Sequence, residues 1–161
     1  MNSQSTDIYL QPGDFYFGNA STRIRTLLGS CVAITMWHPT RLIGGMCHYM
    51  LPRRNKKTPA LEGKYADEVM ELFLVETARY KTSMNEYQVK IFGGGNMLNL
   101  AKKEIGNFKI AQENVEIALI LMSQYGLHVS AQDLGGFGHR TIIFEIATGH
   151  VWVRHSSINK S

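Results

Sequence analysis

Hydrophobic positions along this chain come in short runs broken by glycine, proline and charged residues, the punctuation of strands more than of long helices. Residues 8–11 and 14–17 read as two short strands around Pro12-Gly13. Cys31 to Trp37 is a strongly apolar run with β-branched members, bounded by Gly29 and Pro39, which predicts a buried strand. His38-Pro39-Thr40-Arg41 makes a turn, and Ile43 to Leu51 returns as a second strand. So short a connection favours antiparallel pairing. Residues 53–64 read as an exposed loop. From Ala66 to Tyr80, Val69, Met70, Leu72, Phe73 and Ala78 recur at helical spacing, an amphipathic helix laying one face on a sheet. Gln88 to Phe92 is a strand that runs into Gly93-Gly94-Gly95, and a second helix spans about Gln112 to Tyr125, stopped by Gly126. Leu127 to Leu134, Arg140 to Ile146 and His150 to Arg154 complete the strands, the last two joined by an Ala147-Thr148-Gly149 turn. Sequentially adjacent strands outnumbering helices indicate α+β layers rather than a doubly wound parallel sheet.

Composition narrows the class. With 161 residues, 44% of them hydrophobic and 19% charged, the expectation is one ordinary globular domain. No apolar run approaches the roughly 20 residues of a membrane span, so no direct membrane insertion is expected. Met1 to Asp7 is polar and lacks a basic-then-apolar leader pattern. Two cysteines are too few for a disulfide framework, which points to the cytosol, where a thiol stays free for chemistry. The net charge of +4 is mild. Its densest cluster, Arg53, Arg54, Lys56 and Lys57, reads first as a solvated loop and second as a docking rim for an acidic partner. Nucleic acid is not an expected partner, because no recognised binding module accompanies the cluster.

The chemistry concentrates in two segments. Cys31 follows a Gly29-Ser30 turn and opens one apolar run; His48 lies seventeen positions later in the second. On neighbouring strands the two could meet as nucleophile and base. Most free cysteines are simply small buried hydrophobes, but a turn beside the thiol presents backbone N–H groups suited to an oxyanion. An imidazolium at His48 would lower the thiol pKa. Alternation places His48 on one strand face with Met46 and Met50 and turns Cys47 away, so Cys47 reads as structural. A zinc site from Cys31, His38, Cys47 and His48 fits no common ligand spacing. Gly93-Gly94-Gly95 and Gly135-Gly136 match no phosphate-binding signature and read as close backbone approaches. Ser30 lacks a nucleophile-elbow context and is expected to position groups or contact substrate. A third group should orient His48, and Thr26, Ser30 and Asp133 all remain open.

The string Leu27-Leu28-Gly29-Ser30-Cys31-Val32-Ala33, then Gly44-Gly45-Met46 and His48-Tyr49-Met50-Leu51-Pro52, resembles the CheD family of chemoreceptor glutamine deamidases. The likeness continues through Lys64 to Asp67, Phe92 to Met97, Asn114-Val115-Glu116, Asp133 to Gly136, Arg140 and Thr148-Gly149, covering about residues 8–155. The resemblance implies a layered α/β sandwich with mixed, largely antiparallel sheets, similar to deamidating bacterial toxins. It also implies hydrolysis of receptor glutamines to glutamate, with Cys31 as nucleophile, His48 as base and Thr26 as the catalytic threonine. Many relatives carry Arg-Asn where this chain has Glu113-Asn114. No cofactor is expected, since amide hydrolysis transfers no electrons. Methyl-accepting receptors are the implied partners, and some relatives bind a CheC-type phosphatase. A non-catalytic chemotaxis adaptor and a different thiol hydrolase are the competing readings.

Overall fold

The computed structural model describes residues 5–56, 58–97 and 105–156. Among the described residues nine strands form two sheets. Thr6–Leu10 (β1), Thr22–Leu28 (β3), His139–Glu145 (β8) and Val151–Ser156 (β9) make a four-stranded sheet in that order. The five-stranded sheet runs Phe15–Asn19 (β2), Ile43–Cys47 (β5), Val32–His38 (β4), Gln88–Gly93 (β6) and Val129–Leu134 (β7). Among these strand pairs, β1–β3 and β6–β7 are parallel and the rest antiparallel. The helices Ala66–Arg79 (α1) and Ile105–Gln124 (α2) and a single 3-10 turn at Met84–Glu86 complete the order among the described residues. Among the described residues no helix is long and apolar enough to cross a membrane.

Alternation along the strands builds three layers. On the five-stranded sheet Val32, Ile34, Met36, Cys47 and Tyr49 meet Val69, Met70 and Phe73 of α1 and Ile117, Ala118 and Leu121 of α2. Their neighbours Ala33, Met46 and Phe92 face the other way, onto Ile24, Leu28, Ile142 and Phe144 of the four-stranded sheet. The stack is therefore sheet, sheet, helices, a mixed and largely antiparallel α+β sandwich. Gly13, at φ +91°, turns the chain from β1 in one sheet to β2 in the other.

Three boundaries depart from the sequence reading. No strand was expected at Thr22–Leu28, where Arg23 and Arg25 interrupt the apolar positions; those arginines point outward while Thr22, Ile24, Thr26 and Leu28 are buried. The second helix starts at Ile105, well before Gln112, because Gly106 and Asn107 are weak helix formers that hide its first turn. The strand from Ile43 ends at Cys47, and the chain beyond stays extended through single bridges from Val32 to Tyr49 and from Leu51 to Tyr65.

The basic cluster divides. Both Glu68 carboxylate oxygens accept from Arg54, at Nε and Nη2, each at 2.6 Å, and Arg54 stacks on the Tyr65 ring at 4.8 Å. Arg54 thus fastens the 53–64 loop to α1 instead of standing in solvent. Lys57 and residues 1–4 lie outside the described residues.

Candidate active site

Cys31 stands between the end of β3 and the start of β4, where the chain crosses from one sheet to the other. Its loop is held by its carbonyls. Gly95 N donates to Gly29 O and Gly94 N to Cys31 O, both at 2.8 Å. The glycine run makes this approach possible: a Cβ at Gly93 would sit 2.3 Å from Cys31 O, and one at Gly95 2.4 Å from Gly138 O. Arg140, 2% exposed, fixes the run from behind, donating to Gly93 O, Gly135 O and Asp133 Oδ1.

Register places the imidazole. The β4–β5 pairing of Thr35 with Met46 continues to the Val32–Tyr49 bridge, setting Ala33 opposite His48 and Cys31 opposite Met50. Cys31 and Ala33 face the space between the sheets, as Met46 does, and His48 follows Met46 by two positions. Cys31 and His48 are therefore diagonal neighbours, about 7–8 Å apart at the backbone and within reach of a long side chain. From the opposite sheet, Thr26 Oγ1 approaches His48 Nδ1 to 2.6 Å. The Thr26 hydroxyl also donates to Leu10 O at 2.9 Å. A hydroxyl has one proton, so with it committed to Leu10 the Thr26 oxygen accepts from His48 Nδ1–H. Nε2 is then the unprotonated nitrogen. Of the three candidates for orienting His48, Thr26 is the one brought to it; Asp133 is taken up by Arg140, and Ser30 bonds to the Cys31 thiol.

The electrostatics favour neutral groups. Burial pushes the Cys31 thiol above its ordinary value, partly offset by the Ser30 hydroxyl. Burial also lowers His48 to about 4, with Asp14 pulling weakly the other way. Both shifts favour the uncharged forms, thiol and neutral imidazole, so of the two roles the sequence reading offered His48, base and thiolate stabiliser, burial favours the base. Cys47 lies on the helix side of the sheet, its Sγ accepting from Ile34 N at 3.3 Å, and burial pushes its thiol up to about 12. Such a thiol is inert. Among the described residues no group of three His, Cys, Asp or Glu side chains is placed to share a metal ion.

The family described as CheD chemotactic sensory transduction matches residues 50–155. A probable chemoreceptor glutamine deamidase CheD of Pseudomonas fluorescens (strain SBW25) is 50% identical over 151 residues, spanning 94% of this chain and 85% of its own. The chain belongs to the CheD family. A second CheD relative with the same description, from Pseudomonas syringae pv. tomato, is 47% identical over 94% of this chain and 90% of its own. A CheD 1 of Leptospira interrogans is 40% identical over 91% of each.

The sequence reading missed three partners of this CheD site. Leu10 enters through its carbonyl, which no side-chain pattern reveals. Arg140 was read as the start of a strand and as part of the family resemblance, with no role at the site. Asn114 is fully buried in α2 and donates from Nδ2 to Ser30 O at 3.1 Å and Met50 O at 2.8 Å. Its signal was available: Ala111, Asn114, Ala118 and Leu121 share one buried helical stripe, and only one of them is polar.

Proposed function

We propose that this chain is a chemoreceptor glutamine deamidase in which Cys31 is the nucleophile, His48 the base and Thr26 the group that orients it. The observation that carries this reading is the chain His48 Nδ1–H to Thr26 Oγ1–H to Leu10 O, which leaves Nε2 as a proton acceptor on the face shared with Cys31. The names borne by the relatives supply the substrate class.

His48 Nε2 takes the Cys31 thiol proton as Sγ attacks the glutamine amide carbon. The backbone N–H groups of Ser30 and Cys31, which donate to no backbone carbonyl among the described residues, face the developing oxyanion. The imidazolium returns its proton to the departing nitrogen, releasing ammonia and leaving a thioester. Nε2 then deprotonates water, the hydroxide adds to the thioester, and Sγ leaves, recovering its proton. Glutamate and ammonia are the products, and amide plus water balance them. Ser30, whose hydroxyl touches the thiol, positions the nucleophile and lies where substrate arrives. The catalytic unit is a single domain over about residues 8–155, working in the cytoplasm on the cytoplasmic helices of methyl-accepting receptors. A CheC-type phosphatase remains a candidate regulator.

The test is peptide mass spectrometry of a receptor cytoplasmic fragment incubated with the wild-type chain and, in parallel, with Cys31→Ala. Conversion of glutamine to glutamate by the wild type alone is expected. Equal conversion by both would remove Cys31, and none by either would favour the adaptor reading.

A further inference from the structure

We propose that Asn114 is a positioning residue that replaces a missing rung of the five-stranded sheet and so holds Cys31 and His48 in register. The proposal rests on the catalytic reading above for its consequence, but its geometry stands apart from it. The backbone ladder between β4 and the chain after β5 closes with Val32 and Tyr49, each donating to the other's carbonyl at 3.2 and 3.0 Å. In an antiparallel pair the next such rung would join Ser30 to Leu51. It does not form. Leu51 N donates instead to Lys64 O at 3.1 Å, and Leu51 O accepts from Ala66 N at 2.9 Å, so this strand is drawn away toward α1.

The two chains therefore part at the level of Cys31, and the parting serves the chemistry, since it frees Ser30 N–H and opens room beside the thiol. It also leaves Ser30 O without its strand partner. Asn114 reaches across from α2 and fills that place, one Nδ2 bridging Ser30 O and Met50 O, the residue before Cys31 and the second after His48. Tyr49, from the last closed rung, donates its hydroxyl to Asn114 O and ties the helix to the same point. The amide is used only as a donor, because Asn114 Oδ1 is buried with no partner among the described residues. An unpaired buried acceptor is costly, and a residue serving packing alone would be apolar.

The experiment uses the full chain. Asn114→Asp keeps the shape and removes the Nδ2 amide, leaving at most one O–H where two N–H groups bridged Ser30 O and Met50 O. The expected result is a folded protein by circular dichroism, with kcat for receptor deamidation down about 100-fold, in the range of a lost acid–base pairing, and KM within about threefold. Iodoacetamide alkylation of Cys31 should fall in parallel: the wild type reacts below the thiol's own ionisation range because His48 takes the proton, whereas the variant follows an unassisted thiol. Because alkylation needs no receptor, failure of the deamidase reading would leave this profile intact. Alkylation and kcat both within threefold of wild type in a folded Asn114→Asp would overturn the proposal. Should the variant not fold, the wild type decides: with asparagine amides labelled with ¹⁵N, the Asn114 side-chain protons should exchange slowly with solvent and shift when Cys31 is alkylated. Rapid exchange and no shift would overturn it equally.

Discussion

Thr26 Oγ1 lies 2.6 Å from His48 Nδ1 while its own proton goes to Leu10 O, so a residue of one sheet sets the tautomer of a histidine on the other. Thr26→Val should lose that control and strand the buried Leu10 carbonyl. Deamidation should fall on the order of 100-fold in kcat, as when a general base is no longer held in its working form. Stability should fall by about 1–3 kcal/mol, the cost of an unpaired buried polar group. Thr26→Ser, which keeps the hydroxyl, should stay within roughly tenfold of wild type. Steady-state kinetics with urea unfolding checks all of this, and a fully active Thr26→Val would show that His48 needs no such partner.

The neutral resting pair makes a prediction about pH. His48 is held near 4 in the fold, below the 6.5 of a free imidazole, so the unfolded chain binds the extra proton more readily. The stability this contributes is complete above pH 6.5 and is lost as pH falls from there through 4. The gap corresponds to on the order of 3 kcal/mol. Urea unfolding at pH 7, 5.5 and 4.5 should show the decline, and His48→Gln should flatten it. The acid limb of kcat/KM should likewise fall near pH 4. A limb centred at 6.5 would mean that the imidazole is solvated in the working enzyme.

What could be read from the sequence follows from how far apart the interacting residues lie. Cys31 to Trp37 and the return from Ile43 were legible because both strands are buried on both faces and appear as unbroken apolar runs. Alternation then separated His48 from Cys47 without further information. β3 was hidden because its inward positions include the buried polar residues Thr22 and Thr26, the latter's hydroxyl finding its partners, Leu10 O and His48, elsewhere in the chain. Thr26 meets His48 across 22 residues and Asn114 meets Ser30 across 84, and no local period encodes such a meeting. The directions of the two pKa shifts were illegible for the same reason: burial between two sheets, absent from the sequence, raises the Cys31 thiol and lowers the His48 imidazole.

The two thiols should differ sharply in reactivity. Cys31 is half-buried at the site, whereas Cys47 is enclosed and raised to about 12. Native protein at pH 8 should take up one carbamidomethyl group, on Cys31, and a second only in denaturant. Loss of deamidation should track the first. Cys47→Ala should remain active and lose about 1–2 kcal/mol through the vacated volume and the Ile34 N–H left behind. Intact-mass spectrometry measures the labelling, and rapid native labelling of Cys47 would contradict the packing described.

Arg140 links fold stability to the site. Its guanidinium is 2% exposed and donates to Gly93 O at 3.3 Å, Gly135 O at 2.6 Å and Asp133 Oδ1 at 3.2 Å. The Asp133 side chain is 44% exposed, so the ion pair itself is screened and contributes modestly. The carbonyls matter more, because Arg140→Met would leave Gly135 O without its donor and Gly93 O with only the Gly135 N–H at 2.9 Å. A loss of about 1–3 kcal/mol is expected from that disruption. Activity should fall as well, since Gly94 and Gly95 hold the carbonyls of Cys31 and Gly29 only while their loop keeps its shape. Arg140→Lys retains the charge but cannot span three acceptors with a fixed fork, so it should recover less than half of the lost stability. Urea unfolding and deamidation of the same preparations give the comparison. An unfolding midpoint unchanged in Arg140→Met would show that the glycine loops hold their positions without the guanidinium.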